Sequence, residues 1–179
     1  FELDINASEI IYGENATVTH LLPDSATGNI SYYLGDGTFL GVLNVTENLT
    51  LHGLDAGTYV IIGNYSGDHN FIPATDSTFL TVKPALNNVA VTVSNVTYGN
   101  DTLIEISADA DGTYQLDLNG TRYNMTVENG YASRTVRLNA GKYYANASFN
   151  NGNYNTTVKN ATFEVYKADI DLSVAASDI

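Results

Sequence analysis

The chain has 179 residues and a net charge of −13, yet only 15% of its residues are charged. Its surface is therefore expected to be mostly neutral and polar, and 21 Asn and 20 Thr residues supply that polarity. The absence of cysteine excludes disulfides, thiol catalysis and zinc thiolate sites. Only seven residues are basic, and no apolar run approaches the roughly 20 residues of a membrane span. We therefore expect no nucleic-acid partner and no membrane insertion.

Short segments of alternating apolar and polar residues follow one another from the N-terminus. Residues 1–7 place Phe1, Leu3 and Ile5 on one face, which is the period of a half-buried strand. We expect a turn over 10–13 and a hairpin turn over 35–37. Further strands are predicted over 16–22, 30–34, 39–45, 49–51 and 59–65, and a last one ends at Val82. Seven short strands without helical periodicity predict a sandwich.

The same order of segments returns in the second half of the chain. The stretch 54–59 recurs 84 residues later as 138–143, and Asn119-Gly120 predicts a two-residue hairpin there. Residues 170–179 then repeat the pattern of residues 1–10. We predict one repeat over residues 1–85, a second over 86–168, and the truncated first strand of a third over 169–179.

The junctions between the repeats are short. Linkers of two or three residues, Lys83-Pro84-Ala85 and Lys167-Ala168, should limit bending between repeats. We expect the chain to be part of a longer protein. The segment 169–179 lacks its partner strands, so we expect it to pair with an open sheet edge.

The recurring stretch 54–59 is typical of the corner that precedes a late strand in immunoglobulin-like sandwiches. In that corner a buried Tyr bonds through its hydroxyl to the backbone just upstream. We assign Leu54 and Tyr59 to this structural corner in the first repeat, and Leu138 and Tyr143 in the second, with both tyrosines as buried anchors. The predicted fold class is all-β, with tandem immunoglobulin-like β-sandwich domains.

The densest motif is Asn-x-Ser/Thr, the acceptor of N-glycosylation. It occurs thirteen times, whereas random placement would give roughly three or four copies. The motif favours an exported glycoprotein, although an outward strand face rich in Asn and Thr produces the same pattern. The candidate glycosylation sites are Asn6, Asn15, Asn29, Asn44, Asn48, Asn64, Asn95, Asn100, Asn119, Asn124, Asn146, Asn155 and Asn160.

Histidines and carboxylates offer little for catalysis or metal binding. The three His residues lie on different predicted strands and loops of the first repeat, and His20 takes an apolar core position. Asp109 and Asp111 alternate as in Ca²⁺ sites, but the twelve-residue loop pattern is missing and acidic turn residues also bond locally. Neither a nucleophile elbow nor a Gly-rich phosphate loop is present. We expect no enzyme and no cofactor, with Ca²⁺ as the alternative.

Outward tyrosines and unequal charge distinguish the surfaces of the two repeats. Tyr33, Tyr144 and Tyr166 fall on outer faces, where Tyr can stack on sugar rings or simply favour a strand. Residues 1–85 carry ten acids and one base, net −9, whereas residues 86–168 carry seven acids and six bases, net −1. This divergence fits spacer repeats, or one repeat specialised for a partner.

The stretches 12–18, 54–59 and 65–71 resemble the tandem immunoglobulin-like repeats of adhesin-like surface proteins from methanogenic archaea, which are related to bacterial immunoglobulin-like repeats. The resemblance covers the whole chain and implies no catalytic residues. It implies an extracellular cell-surface protein, anchored elsewhere in its chain, that attaches to other cells or surfaces.

Two functions are compatible with this resemblance. In the first, the repeats form a non-catalytic stalk or spacer that projects a binding region. In the alternative, the repeats themselves bind a glycan or a surface protein of a partner cell through outer-face Tyr and Asn.

Overall fold

The computed structural model describes residues 2–175 of the chain. These residues form strands, turns and loops without any helix, so none of them provides a helix that could cross a membrane. The chain divides into two compact units, Phe1–Ala85 with Gly152–Asn155 and Leu86–Asn151 with Thr156–Ile179. They are called unit 1 and unit 2 below.

Unit 1 is a sandwich of two sheets. Its strands are β1 (Asp4–Ala7), β2 (Ile10–Ile11), β3 (Ala16–Leu21), β4 (Asn29–Leu34), β5 (Phe39–Asn44), β6 (Leu49–Leu51), β7 (Gly57–Tyr65) and β8 (Ala74–Lys83). The smaller sheet has the order β1-β3-β6 and the larger one β2-β8-β7-β4-β5. All pairs are antiparallel except β2 and β8, which run parallel.

Unit 2 repeats this arrangement with one additional strand. Its strands are β9 (Ala85–Val93), β10 (Val96–Thr97), β11 (Thr102–Ala108), β12 (Gly112–Leu118), β13 (Thr121–Val127), β14 (Tyr131–Val136), β15 (Gly141–Ser148), β16 (Tyr154–Lys159) and β17 (Ala161–Tyr166). One sheet has the order β14-β11-β9-β16 and the other β10-β17-β15-β12-β13. Again the short strand β10 runs parallel to the last strand, β17.

Residue alternation decides which side chains fill each core. In unit 1, Ile30 and Tyr32 of β4, Ile61 of β7 and Leu80 of β8 are fully buried, and they pack with Val18 of the smaller sheet. Because successive side chains of a strand point to opposite faces, the residues between them face outward. Unit 2 encloses a second core of the same kind, built from its own strands.

The strand order confirms the predicted fold class. Each unit packs two sheets face to face, and the first strand splits so that its second part joins the sheet of the last strand. This order is that of an immunoglobulin-like sandwich. The protein is therefore all-β, with tandem immunoglobulin-like β-sandwiches.

One strand prediction was wrong, and one division of a strand was not predicted. Residues 10–11 were expected in a turn, but they form β2, which pairs with Val82 and Lys83 at the end of β8. The last strand of unit 2 is divided at Asn160: β16 joins the sheet of β9, and β17 joins the opposite sheet. In unit 1 the corresponding strand is continuous, and the Asp76 carboxylate accepts the Ile5 N–H of β1 at 2.8 Å instead.

The segment after Lys167 forms no strand over residues 169–175, where Ile170, Leu172 and Val174 are 85–89% exposed. The expected pairing with an open edge of the chain's own sheets is therefore wrong for these residues, whereas pairing with an edge of a neighbouring molecule stays a prediction. Residues 176–179 of the predicted third strand lie outside the described residues. That this segment begins a third repeat stays a prediction.

Candidate functional site

The two corners tie their loops to the strand that follows. Tyr59 Oη donates to the carbonyl oxygen of Asp55 at 2.9 Å, and Tyr143 Oη donates to that of Asn139 at the same distance. The Tyr143 ring also stacks on Phe163, with 5.3 Å between ring centroids. Both tyrosines are half-buried rather than buried as expected, because the hydroxyl must reach the loop at the edge of the sandwich. Leu54 and Leu138 are likewise half-buried and pack against the two cores.

His20 belongs to a hydrogen-bonded bridge beside the core of unit 1. Its Nε2 lies 2.8 Å from the Val45 carbonyl oxygen, and its Nδ1 lies 3.0 Å from Tyr32 Oη. Because a carbonyl oxygen only accepts, Nε2 carries a proton, and in the neutral ring Nδ1 accepts from Tyr32. Burial raises the pKa of Tyr32 to about 12. The bridge thus satisfies a fully buried hydroxyl, which is a structural role.

The carboxylates that alternate as in Ca²⁺ sites accept backbone N–H groups. Asp109 Oδ2 accepts the N–H of Asn88 at 2.9 Å, which lowers the pKa of this carboxyl. Asp111 accepts the N–H groups of Asn129 and Gly130 at 3.0 and 2.9 Å. Asp68 of unit 1 is held in the same way, and its pKa lies well below the usual range. Within residues 2–175, no group of three or more His, Asp or Glu side chains could hold a metal ion.

The thirteen glycosylation candidates all reach solvent. Eleven of these Asn residues are exposed, and Asn64 and Asn146 are half-buried. Three of them use their side-chain amide as a donor: Asn95 to Tyr166 Oη at 3.0 Å, Asn160 to Tyr144 Oη at 2.6 Å, and Asn119 to the Lys142 carbonyl at 3.0 Å. In the motif that begins at Asn100, the Asn is exposed but the third residue, Thr102, is fully buried.

These amide contacts frame a shallow concavity on the outer face of β15 and β17 in unit 2. Its volume is about 530 Å³, and Asn95, Asn119, Lys142, Tyr143, Tyr144, Thr162, Phe163 and Glu164 line it. Tyr144 and the neighbouring Tyr166 are each 47% exposed. Two of the three tyrosines assigned to outer faces thus lie on one face of unit 2, each with an Asn amide at its hydroxyl, and Tyr144 lines the concavity.

The third outward tyrosine, Tyr33, lies among exposed apolar side chains, which the alternation of the sequence did not reveal. Tyr33 of unit 1 is half-buried, and its ring contacts Phe39 with centroids 5.4 Å apart. Six outward residues of β4, β5, β7 and β8 form a surface that we call the apolar face: Tyr33, Phe39, Val42, Val60, Ile62 and Phe79. The signal was present in the uninterrupted apolar run from Tyr59 to Ile62, which fills both faces of a strand.

Comparisons with known proteins find similarity only to solved structures. No family profile matches the sequence, and no curated protein matches it. The fibronectin(III)-like modules of CbhA from Clostridium thermocellum align over 98% of this chain and 100% of theirs, with 14% identity and a TM-score of 0.42. Titin domains Z1Z2, solved in complex with telethonin, align over 93% of this chain and 95% of theirs, with 14% identity and a TM-score of 0.47.

A further similarity is to the BSP domain of a biofilm-associated protein. It covers 94% of this chain but 30% of that one, at 17% identity and a TM-score of 0.34. At such identities the fold itself rests on the strand order and registers described above.

Proposed function

We propose that this chain is a non-catalytic repeat module of an extracellular, cell-surface adhesin-like protein, in which the sandwiches act as a spacer for a binding region. The observation that carries the proposal is the repetition of one fold with its corner retained and its surface changed. Both units keep the same strand order and the same Tyr hydroxyl bond to the backbone four residues upstream. Repetition of this kind supplies length, because each added sandwich extends the chain without new chemistry.

The connection between the units supports the same role. Strand β8 ends at Lys83 and β9 begins at Ala85, so Pro84 is the one residue between them. The pyrrolidine ring fixes φ of this residue and removes its N–H. A junction this short fits a spacer made of repeated sandwiches.

The proposed location has a direct test. Antibodies raised against residues 1–168 should label intact, unpermeabilised cells of the source organism, and mild protease treatment of those cells should remove the signal. Labelling that requires permeabilisation would contradict an extracellular location. Intact-mass measurement of the native protein then tests occupancy of the Asn motifs, since glycans add mass above that of the sequence.

A second candidate function, glycan binding, is favoured by the concavity of unit 2. Tyr144 and Tyr166 present half-exposed rings that can stack on sugar faces, while Asn95, Lys142 and Glu164 offer polar groups nearby. Strand geometry supports two separate sugar contacts. Tyr144 pairs with Thr162 of β17, and Tyr166 lies four residues further along that strand, about 13 Å from Thr162.

A glycan array with the intact chain tests this second function. Binding that is lost in Tyr144→Ala and retained in Tyr131→Ala would support it, since Tyr131 is 49% exposed but lies on β14 of the opposite sheet. If the wild-type chain binds no glycan on the array, the second function is rejected and the spacer function remains.

A further inference from the structure

We propose that the apolar face of unit 1 is a self-association surface, which binds the same face of a second copy of this chain. The face is formed by Tyr33, Phe39, Val42, Val60, Ile62 and Phe79 on four neighbouring strands. This proposal rests on the geometry of the face and is independent of the spacer function.

The six residues form one continuous surface. Strand register places Phe79 opposite Val60, Ile62 opposite Tyr33, and Tyr33 opposite Phe39. Val60 and Ile62 are two residues apart on β7 and therefore point to the same side. Directly opposite side chains on one sheet face are in contact. The residues that alternate with them, such as Ile61 and Leu80, are the ones that fill the core.

The exposure of this surface is large for apolar side chains. Phe39, Val42 and Phe79 are 57%, 50% and 69% exposed, and none of the six belongs to the core of unit 1 or packs against it. The two Phe side chains alone present roughly 250 Å² to solvent. With the other four residues the patch reaches several hundred Å², the size of the largest apolar patches on soluble monomers, which are often functional.

Unit 2 shows that the fold does not require apolar residues here. The same registers in unit 2 place polar or amphipathic residues at the six positions. The residues matched to Tyr33, Phe39, Val42, Val60, Ile62 and Phe79 are, in that order, Asp117, Arg122, Asn124, Tyr144, Asn146 and Thr162. Since both units hold the same sheet with these different faces, the apolar face of unit 1 serves something other than folding.

The absence of charge on the apolar face permits a second copy as the occupant. Unit 1 carries ten acidic residues and one basic residue, yet the apolar face contains none of them. Its outward neighbours Ser31, Ser77 and Thr81 are also neutral. A symmetric contact therefore brings no like charges together at its centre, although the net charges of −9 repel at long range. Salt screens such repulsion, so association should strengthen as salt is added.

The available area fits a weak dimer. Four strands spaced about 4.8 Å apart and six residues long give a face roughly 15–20 Å on each side. Such a face covers roughly 225–400 Å², which is half or less of the about 800 Å² per partner that a standard stable interface buries. We therefore expect a dimer at the weak end of specific association.

Sedimentation equilibrium of the intact chain tests the proposal, from about 1 µM to about 1 mM protein. We expect a monomer–dimer equilibrium whose Kd falls as NaCl rises from about 0.05 M to about 1 M. If association depended on opposite charges instead, Kd would rise as NaCl is added. A chain that stays monomeric at every concentration and salt overturns the proposal and leaves the spacer function untouched.

Variants localise the contact. Phe39→Arg with Phe79→Thr introduces the residues that unit 2 carries at the matched positions, so the sheet should tolerate them. We expect Kd to rise about tenfold or more, because central aromatic residues dominate interfaces. Ile72→Ser is the control, since Ile72 is 82% exposed but lies off the face; its Kd should equal that of the wild type.

Two controls make the assignment to the apolar face specific. Circular dichroism melting must show that the double variant is folded; if it is not, the single variant Val42→Asn replaces it. A triple Ser variant of Ile170, Leu172 and Val174 removes the exposed C-terminal apolar residues. Dimerisation lost in that triple variant but retained in Phe39→Arg, Phe79→Thr overturns the assignment to the apolar face.

Discussion

Tyrosine hydroxyls fasten loops to strands in this cysteine-free protein. Tyr59 and Tyr143 each bond to the carbonyl four residues upstream. In unit 1, Tyr65 is buried to 2% exposure and donates to the Thr27 carbonyl at 2.7 Å, which joins β7 to the loop before β4. A buried phenol can fill core volume and satisfy a backbone acceptor at the same time. These bonds provide part of the loop anchoring that disulfides supply in small secreted domains.

Removal of one such hydroxyl should have a measurable cost. We expect Tyr59→Phe to lower the free energy of unfolding by about 1 kcal/mol, the usual net value of an intramolecular hydrogen bond. Urea unfolding followed by circular dichroism measures it. Tyr98→Phe is the control, because Tyr98 is 54% exposed, and it should change stability by less than about 0.5 kcal/mol. Equal stability of both variants would show that the corner bond contributes nothing.

The buried phenol of Tyr32 predicts a stability loss in alkali. Its pKa is raised by burial to about 12, against about 10 in an unfolded chain. Between these values the folded state binds the extra proton, so the free energy of unfolding falls as pH rises, by roughly 2–3 kcal/mol in total. Urea unfolding between pH 8 and pH 11 should show a smaller decline in Tyr32→Phe than in wild type. Identical declines would contradict the assignment. Burial also raises the pKa of Tyr65, which leaves some decline in the variant.

At the scale of strands, β7 packs closely on β1 across the sandwich. A Cβ atom added to Gly63 of β7 would lie 2.7 Å from Cδ1 of Ile5, which is 2% exposed. A side chain at this position would therefore force the Ile5 side chain to shift within the core. Gly57, on the same strand, has no heavy atom within 4 Å of the equivalent position.

This pair of glycines gives a matched prediction. Gly63→Ala should destabilise unit 1 by about 1–3 kcal/mol because it overpacks the core. Gly57→Ala should change stability by less than about 0.5 kcal/mol, since its side chain meets open space. Thermal and urea unfolding of the two variants measure the difference. If Gly63→Ala is as stable as Gly57→Ala, β1 and β7 are not packed as closely as described.

Strand alternation and turn chemistry were enough to predict most elements from the sequence. The Asn119-Gly120 hairpin was predictable because both residues must adopt positive φ, and they do so at 49° and 95°. The strands β2 and β16 were not predictable in the same way. Two residues carry no period, so β2 exists only through its partner β8. The division at Asn160 likewise depends on which sheet has a free edge, a property of the assembled fold.

The candidate surfaces were harder to predict than the fold. Alternation correctly placed Tyr144 and Tyr166 on an outer face, where both are 47% exposed. It could not show that Asn95 and Asn160, distant in sequence, donate to their hydroxyls. The apolar face was missed because a strand with apolar residues on both sides is normally interpreted as buried on both sides. Only the register of four strands shows that Phe39 and Phe79 share one exposed surface.

For the whole molecule, the two repeats have kept what folds them and changed what faces solvent. Each unit encloses its own hydrophobic core, and each core carries its own Tyr corner. The outward sheet faces differ instead, with an apolar face in unit 1 and a polar concavity in unit 2. A spacer requires only the shared fold and its cores, so the two differing faces are the places where the proposed glycan binding and the proposed self-association can be tested without loss of the spacer function.

Two separate cores predict two separate mechanical events. When the chain is stretched from its ends in a single-molecule experiment, we expect two force peaks, each releasing roughly 250–300 Å of chain, the extended length of one repeat. Gly63→Ala should lower the force of one peak and leave the other unchanged, because Gly63 packs only within unit 1. A single event of about twice that length would show that the units unfold as one. Extension without any peak would contradict a load-bearing spacer.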